Sequence, residues 1–287
     1  MIAPDWKDYE VIAAGGGEKL ERWGGIYLLR PDPQAIWAAP FDLSKYPKLH
    51  ARYLRASDGG GKWQVFRNMP EEWTIGWRDC KFLIKPMGFK HTGLFPEQAY
   101  NWDRMGKIVE ESGKRLNVLN LFGYTGGASV ALAKRGAFVT HVDAAKGMVD
   151  RCRQNAKISG VPDDGIRYIV DDCKKFVQRE IKRGKRYDAV LMDPPSYGRG
   201  PSGETWKLED SLFELVGLVT EVLDDPRFFL INSYTTGLQP TVMKNILSIA
   251  LHGARGSLDA YELCLPVSDE SKGKVELPCG CSAIFFA

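Results

Sequence analysis

The sequence lacks long apolar runs and any strong excess of one charge. No stretch approaches the roughly 18 apolar residues that a membrane-spanning helix needs, so we expect no membrane association. The 287 residues carry 39 Lys and Arg against 36 Asp and Glu, which gives a net charge of +3. Such a mild excess excludes a surface that attracts nucleic acid as a whole, so any basic binding surface must be local.

Cysteine and histidine patterns with metal-ligand spacing are also missing. The six cysteines include one Cys-x-Cys, at Cys279 and Cys281, but no Cys-x-x-Cys, and we predict no metal site. Charges within the first ten residues interrupt any secretory signal, so we predict reduced thiols and a cytoplasmic location. Hydrophobic residues are 44% and charged residues 26% of the chain, which excludes a disordered chain, a collagen and a coiled coil.

The character of the sequence changes at about residue 97. Residues 1–96 are rich in Trp, Gly and Pro, and short apolar runs, including 35–39, predict a small β-rich domain. Residues 97–287 alternate strand-like and helical segments, which is typical of an α/β fold. We predict a Rossmann-like, doubly wound, mostly parallel sheet of seven strands. A C-terminal strand should be antiparallel, because only a short turn separates the last two strands.

Candidate ligand-binding residues follow the predicted strands, because ligands of such sheets bind beyond the carboxyl ends of the strands. Gly123, Gly126 and Gly127 follow the first strand, and glycine lets the backbone approach a ligand closely. Their G-x-x-G-G spacing is not the dinucleotide pattern G-x-G-x-x-G. Asp143 ends the second strand and could accept hydrogen bonds from both hydroxyls of a ribose. Its alternative role is a helix N-cap.

Two further strand ends carry acidic residues. Asp171 and Asp172 follow the third strand, where one could bond the amine of an adenine and the other could cap a helix. The fourth strand ends in Asp193-Pro194-Pro195-Ser196-Tyr197, in which the two prolines fix the turn. The Asp193 carboxylate and the Pro194 carbonyl could accept from an amine, and the Tyr197 ring could stack on a base. The alternative is a rigid loop without a ligand.

A glycine turn, Asp, Asp and then Asp-Pro-Pro at four successive strand ends resemble the class I S-adenosylmethionine-dependent methyltransferases. Residues 117–155, 187–200 and 91–105 are similar to the bacterial 23S rRNA large-subunit methyltransferases, which modify cytosine C5 or guanine. No segment resembles the RNA-binding PUA module that some members carry. The resemblance implies S-adenosyl-L-methionine as the cofactor and RNA as the substrate.

The resemblance also implies a role for each matching position. Methionine and ribose would lie along the first turn, Asp143 would hold the ribose hydroxyls, and Asp172 with Cys173 would face the adenine. Asp193 and Pro194 would flank the sulfonium and the target base. The implied cofactor-binding residues are Gln98, Phe122, Gly123, Tyr124, Thr125, Gly126, Asp143, Asp172, Cys173 and Asp193. The implied catalytic residues are Asp193, Pro194 and Tyr197.

One departure from the pattern bears on the chemistry. The related cytosine-C5 enzymes place a nucleophilic cysteine after the fifth strand, where this sequence reads Asn232-Ser233-Tyr234-Thr235. Attack from C5 needs a thiolate adduct at C6, so we predict methyl transfer to a base nitrogen. The alternatives are a methyltransferase acting on a protein or small molecule, and a cofactor-binding RNA assembly factor without catalysis.

A local basic and aromatic segment, residues 43–67, is the predicted RNA contact. Six Lys and Arg residues face one acid, Asp58, and Tyr46, Tyr53, Trp63 and Phe66 lie among them. Cations bind phosphates, and aromatic rings stack on unpaired bases. The alternative is a solvated loop with a few core aromatics.

Overall fold

The computed structural model describes residues 1–56, 60–88, 90–199, 205–235, 237–271 and 273–287. Contacts divide this chain into two compact units. The amino-terminal unit comprises Ile2–Tyr100 with Cys264–Cys279, and the carboxy-terminal unit comprises Asn101–Leu263 with Gly280–Ala287 and Met1. The amino-terminal unit thus includes Cys264–Cys279 from late in the chain. The domain limits 1–96 and 97–287 stay a prediction.

The described residues of the amino-terminal unit form seven strands. They are β1 (Tyr9–Gly15), β2 (Glu18–Trp23), β3 (Ile26–Pro31), β4 (Ala51–Arg55), β5 (Gly61–Val65), β6 (Trp73–Trp77) and β7 (Cys80–Ile84). Strands β1 to β5 form one sheet in chain order, antiparallel except for the β3–β4 pair, and β6 and β7 form a separate hairpin. Short 3-10 turns occupy Leu43–Lys45 and Pro96–Gln98.

The turn between β1 and β2 explains one incorrect sequence prediction. Gly16 and Gly17 have positive φ values of 61° and 79°, which suits a two-residue hairpin turn. Their amides donate to the carbonyls of Trp37 (2.7 Å) and Ala35 (2.8 Å). Residues 35–39, which the apolar run predicted to be a strand, instead form a loop that bonds to this turn.

A late segment of the chain completes the amino-terminal unit. Val11 forms a parallel β-bridge with Val267. The amides of Ser268 and Asp269 donate to the carbonyls of Val11 (2.9 Å) and Ile12 (2.8 Å). The backbone of β1 is therefore paired on one side by residues more than 250 positions later in the chain.

A seven-stranded sheet, as predicted, lies mostly in the carboxy-terminal unit. Its strands are β8 (Asn117–Leu121), β9 (Phe138–Asp143), β10 (Ile166–Val170), β11 (Tyr187–Met192), β14 (Leu223–Ser233), β15 (Ser257–Pro266) and β16 (Glu276–Phe286), and a separate hairpin pairs β12 (Tyr197–Arg199) with β13 (Thr205–Lys207). Its helices are α1 (Ala99–Glu111), α2 (Gly127–Lys134), α3 (Lys146–Ile158), α4 (Cys173–Lys182), α5 (Leu208–Thr220) and α6 (Pro240–Ala250).

The strand order creates a switch point at β8. The order across the sheet is β10-β9-β8-β11-β14-β16-β15, so the chain steps outward from β8 in one direction and then returns to its other side with β11. Strands β8, β9, β10, β11 and β14 are parallel, and β16 is antiparallel to β14. The predicted fold class is therefore confirmed. A crevice for ligands is expected where β8 and β11 end.

Apolar side chains cover the sheet and fix these strand ends. Phe176 of α4, Val216 of α5 and Leu247 of α6 are buried in one cluster with Val190 and Phe229 of the central strands. Each such side chain contributes about 1.5–3 kcal/mol on burial. Among the described residues, none of the helices is long and apolar enough to cross a bilayer.

Candidate functional site

The turn after β8 has an unusual backbone. Phe122, Tyr124 and Gly126 all have positive φ values, of 57°, 50° and 85°. This conformation costs a non-glycine residue on the order of 1–3 kcal/mol, and such outliers cluster at functional sites. The Gly123 amide donates to the Val142 carbonyl of β9 at 3.0 Å, which ties the turn to the neighbouring strand.

Gly123 and Gly126 of the turn are required by packing within the protein. A Cβ on Gly123 would lie 2.3 Å from the ring of His141, and a Cβ on Gly126 would lie 2.2 Å from Sγ of Cys152. Sequence analysis attributed glycine here to close approach of a ligand. The structure gives a second reason, because β9 and α3 press against the turn from inside the fold.

Asp143 is the main polar group that organises this turn. Its Oδ2 accepts from the Tyr124 amide at 2.9 Å, and its Oδ1 accepts from the Ala145 amide at 2.8 Å. The residue is half-buried at the end of β9. Each carboxylate oxygen has two acceptor positions, so both oxygens can still accept a ligand hydroxyl. The same carboxylate therefore shapes the turn and offers acceptors beside it.

Below the turn lies a buried polar group that sequence analysis missed. Nδ2 of Asn120 donates to Oγ of Ser129 at 2.8 Å, and this oxygen lies 2.9 Å from Nδ1 of His141. Nε2 of His141 is buried as well. Burial lowers the pKa of His141 to about 4, so the ring is neutral at pH 7. The only sequence signal for this group is polarity within two strands that otherwise read as apolar.

Asp172 and Cys173 follow β10, and their contacts favour structural roles. Oδ1 of Asp172 accepts from the Lys175 amide at 2.8 Å and caps α4. Sγ of Cys173 accepts from the Phe122 amide at 3.3 Å, and burial raises the pKa of this thiol. Asp171 forms an ion pair with Arg179. The predicted adenine contacts of Asp172 and Cys173 stay a prediction.

Asp193 lies at the end of β11 on the other side of the switch point. Its Oδ1 accepts from Nδ2 of Asn232 at 2.8 Å, and the residue is half-buried. Pro194 is buried, whereas Tyr197 is 53% exposed. Asp193, the predicted acceptor, and Tyr197, the predicted stacking group, thus lie at the beginning and the end of one short turn.

Trp206 is a further candidate that sequence analysis missed. It belongs to β13, opposite Gly198 of β12, and α5 begins two residues later. Its Nε1 donates to the Pro195 carbonyl at 2.7 Å, and its ring centre lies 5.9 Å from that of Phe122. This half-buried indole links the turns that follow β8 and β11. The helix-like pattern after residue 206 concealed the short strand.

A cysteine lies beside the end of β14, although the residues directly after that strand in the sequence include none. Cys281 of β16 is the register partner of Ser233. Its Sγ donates to the Leu238 carbonyl at 2.8 Å, and it is 7% exposed. Burial raises the pKa of this thiol to about 11, so it is protonated at neutral pH.

Gln98 lies in the amino-terminal unit. It ends the 3-10 turn Pro96–Gln98 and is 9% exposed. Burial at this level fits a positioned polar side chain. Its predicted contact with the cofactor stays a prediction.

The basic segment 43–67 is a mixture of engaged and exposed groups, and its residues 57–59 lie outside the described ones. Nε and Nη2 of Arg52 both bind Glu18 at 2.9 Å, and Tyr53 is buried. Lys48, Arg55, Lys62, Val65, Phe66 and Arg67 are exposed. Strand β5 is the edge of its sheet, so part of the segment forms an exposed rim with cations and apolar side chains.

The family was identified by comparison with family models. The model described as S-adenosylmethionine-dependent methyltransferase matches residues 32–220, about two thirds of the chain. The chain belongs to this family. The cofactor of this methyltransferase is therefore S-adenosylmethionine, and the predicted enzyme class is confirmed.

Comparison with known proteins shows which methyltransferases this chain is similar to. A structure of a SAM-dependent methyltransferase from Agrobacterium tumefaciens is 33% identical, with a TM-score of 0.91 over 98% of this chain and 91% of that one. Ribosomal RNA large subunit methyltransferase I of Aeromonas hydrophila is 33% identical over 118 residues, 41% of this chain and 29% of the relative. Ribosomal RNA large subunit methyltransferase K of Neisseria meningitidis is 25% identical over 186 residues, 62% and 51% respectively. The aligned part covers less than two thirds of either curated relative. The predicted resemblance to ribosomal RNA large-subunit methyltransferases is confirmed at this level.

The residues of the crevice fit S-adenosylmethionine. The Asp143 carboxylate has acceptor capacity for two ribose hydroxyls, and the turn after β8, with its left-handed residues, is tied to this carboxylate by the Tyr124 amide. In the methyltransferase, these residues would hold the nucleoside part. Asp193 and the turn after it would lie where the reacting group of a substrate can be held.

Proposed function

We propose that this methyltransferase transfers a methyl group from S-adenosylmethionine to a base nitrogen in RNA, specifically 23S rRNA. The relatives named above supply the RNA class. The observation that carries the proposal is the Asp193 turn, which begins with an acceptor carboxylate bonded by Asn232 and ends at exposed Tyr197. An amine can donate to this carboxylate while its ring stacks on the tyrosine.

Bound S-adenosylmethionine supplies a methyl group that its positive sulfonium already activates for displacement. The protein has to align and desolvate the attacking nitrogen, which is a positioning effect worth up to about 7–11 kcal/mol. Asp193 would accept one N–H of the target amine and leave the lone pair directed away from the carboxylate. The nitrogen's proton then leaves to solvent, so no general base with a shifted pKa is required.

The thiols near the strand ends support nitrogen over carbon as the methyl acceptor. Attack from cytosine C5 needs a thiolate that adds to C6. Cys173 is 3% exposed with a raised pKa, and Cys281 is a buried donor with a pKa of about 11. Both favour the protonated thiol, which is a poor nucleophile. An amine or ring nitrogen needs only a lone pair.

The exposed rim of segment 43–67 is the proposed RNA contact. Lys48, Arg55 and Lys62 are exposed cations. Phe66 is 49% exposed and offers a ring for stacking. Single-stranded nucleic acid is bound by this combination of charge and aromatic surface. Because ribosomal RNA is the proposed substrate, we also propose a cytoplasmic location.

Hypomethylated 23S rRNA, labelled S-adenosylmethionine and nucleoside chromatography test the reaction. We expect label in an N-methylated nucleoside, with strong loss in Tyr197→Ala. Label in 5-methylcytidine that disappears on mutation of one cysteine would overturn the nitrogen assignment. Labelling of a protein fraction but not of RNA would favour the protein-methyltransferase alternative. Cofactor binding without turnover on any fraction would favour the assembly-factor alternative.

The RNA contact has a separate test with a charge-matched control. Lys48, Arg55 and Lys62 are replaced together by Ala, and RNA affinity is measured across salt concentrations. A slope of about −0.7 per neutralised phosphate predicts that the slope becomes about 2 smaller in magnitude. The control replaces exposed Lys107, Lys157 and Lys244 of the carboxy-terminal unit. Equal slopes in both triple variants would contradict the proposed contact.

A further inference from the structure

A line of buried polar side chains crosses the carboxy-terminal sheet and ends at Asp193. Tyr261 is 5% exposed, and Asn101, Ser282 and Asn232 are 0% exposed. The Tyr261 hydroxyl donates to Oδ1 of Asn101 at 2.8 Å, and Nδ2 of Asn101 donates to Oγ of Ser282 at 2.9 Å. Oγ of Ser282 donates to Oδ1 of Asn232 at 2.8 Å. Nδ2 of Asn232 in turn donates to Oδ1 of Asp193 at 2.8 Å.

Strand register brings these groups together. Asn232 of β14 is the direct partner of Ser282 of β16. Met192 of β11 is the partner of Ile231, so Asp193 follows on beside Asn232. The line therefore crosses the neighbouring strands β11, β14 and β16, where a change of one residue in register would break it. Asn101 of α1 then links Ser282 to Tyr261 of β15.

The chemistry of the groups allows one direction of hydrogen bonding. An ionised carboxylate only accepts, so Asn232 must turn its amide nitrogen toward Asp193 and its oxygen toward Ser282. The serine hydroxyl must then donate to that oxygen and accept from Asn101. The remaining oxygen of Asn101 accepts from the tyrosine. Four donors thus point the same way, toward the carboxylate.

Burying such a line of polar side chains costs free energy, which suggests that its orientation has a function. Each buried polar group loses its water, and apolar residues of similar size would pack at these positions without that loss. Chains of hydrogen bonds in a low-dielectric interior also strengthen one another. A fully paired network therefore holds its last member in one orientation.

We propose that Asn232, Ser282, Asn101 and Tyr261 are positioning residues that fix the carboxylate of Asp193 for methyl transfer. The functional half of this inference rests on the proposed function. The bond from Asn232 to Oδ1 would hold the carboxylate in the orientation that accepts from the target amine. Removing an inner hydroxyl frees the Asn232 amide to rotate, and the carboxylate then loses its fixed donor.

The first test needs no substrate. Protein labelled with 15N-asparagine gives side-chain amide signals, and the Asn232 pair is identified by its loss in Asn232→Ser. We expect this pair to shift in Asp193→Asn and Ser282→Ala, and to shift less in Tyr261→Phe, which keeps the ring beneath Arg104. An unchanged Asn232 pair in Ser282→Ala would overturn the inference.

Tyr187→Phe is the matched control. It also removes a buried tyrosine hydroxyl bond, to Oε2 of Glu180 at 2.7 Å, but at the start of β11. It should lower stability without moving the Asn232 signals. If Tyr187→Phe shifted them as much as Tyr261→Phe, the signals would report general loosening and the inference would fail.

The second test is kinetic and distinguishes positioning from stability. We expect Ser282→Ala to lower kcat for RNA methylation about 10- to 100-fold, because small misplacements of a reacting group cost this much. Affinity for S-adenosylhomocysteine should change less than threefold. In Asp193→Asn, the further change Ser282→Ala should have almost no effect on kcat, since the serine acts through the aspartate. Ser282→Thr should restore most of the rate.

The outcomes separate this inference from the proposed function. Independent, multiplicative losses from Ser282→Ala and Asp193→Asn would overturn the inference and leave RNA methylation standing. Shifted Asn232 signals in a protein that methylates no RNA would support the positioning network and refute the proposed substrate.

Discussion

Replacement of Asp143 tests the cofactor crevice most directly. Its two oxygens accept from the amides of Tyr124 and Ala145, and both are proposed to accept from the ribose as well. Hydrogen bonds to a charged group contribute about 1.5–3 kcal/mol each. Loss of two ribose contacts at the lower figure is about 3 kcal/mol, which corresponds to about 100-fold weaker binding.

The same substitution should also affect stability. The Tyr124 amide loses its partner in a half-buried position, whereas the Ala145 amide is exposed to water. We therefore expect Asp143→Ala to lower the free energy of unfolding by about 2 kcal/mol. Asp143→Asn keeps one carbonyl acceptor and should weaken cofactor binding only about tenfold.

Calorimetry with S-adenosylhomocysteine and denaturant unfolding measure the two effects. Asp188→Ala is the control, because Asp188 accepts from the Asn117 amide at 2.7 Å and pairs with Lys114 at the opposite end of the strands. It should lose stability but keep its affinity. Equal cofactor affinity in the wild type and Asp143→Ala would refute the ribose assignment, and equal loss in both variants would attribute the effect to the fold.

Three further predictions follow from contacts around the site. Gly123→Ala should lower the free energy of unfolding by more than 1 kcal/mol, because its Cβ would lie 2.3 Å from His141; a melting curve within 1 °C of the wild type would contradict this packing. The pKa of His141 is about 4 in the folded protein and about 6.5 when unfolded. The unfolded state therefore binds more protons on acidification, and this group should remove about 2 kcal/mol between pH 7 and pH 5; His141→Gln should lack that part of the pH dependence in urea unfolding. Cys281→Ala should keep RNA methylation within threefold, since its protonated thiol is a structural donor to Leu238, and a 100-fold loss would favour thiol catalysis.

The fold of the carboxy-terminal unit could be predicted because the spacing of apolar residues and the turn residues between segments indicated the same helices and strands. Segments 117–122 and 187–193 are short and mostly apolar, and the strands β8 and β11 cover all but their last residue. The strands of the amino-terminal unit were harder to predict from the sequence. Residues 18–23 alternate charged and apolar side chains weakly, yet form β2 in the middle of a sheet, because buried Glu21 is paired there with Arg30 at 2.6 Å.

Part of the candidate site was also visible in the sequence. Asp143 and Asp193 were predicted from their places at strand ends, and both lie beside the switch point. Trp206 and His141 were not found, since their importance comes from contacts with residues 84 and 18 positions away in Phe122 and Gly123. Such contacts depend on strand order, which a single sequence does not specify.

The pairing of β1 with the segment around Val267 bears on how the chain folds during synthesis. Domains generally fold as units as they leave the ribosome, amino-terminal part first. Here the backbone partners of Val11 and Ile12 are Val267, Ser268 and Asp269, which emerge only after more than 250 further residues have been translated. The amino-terminal unit should therefore stay incomplete and open to proteases until strands β8 to β14 of the other unit have been translated. A nascent chain arrested at residue 250 should be cleaved within residues 1–100 faster than the released protein.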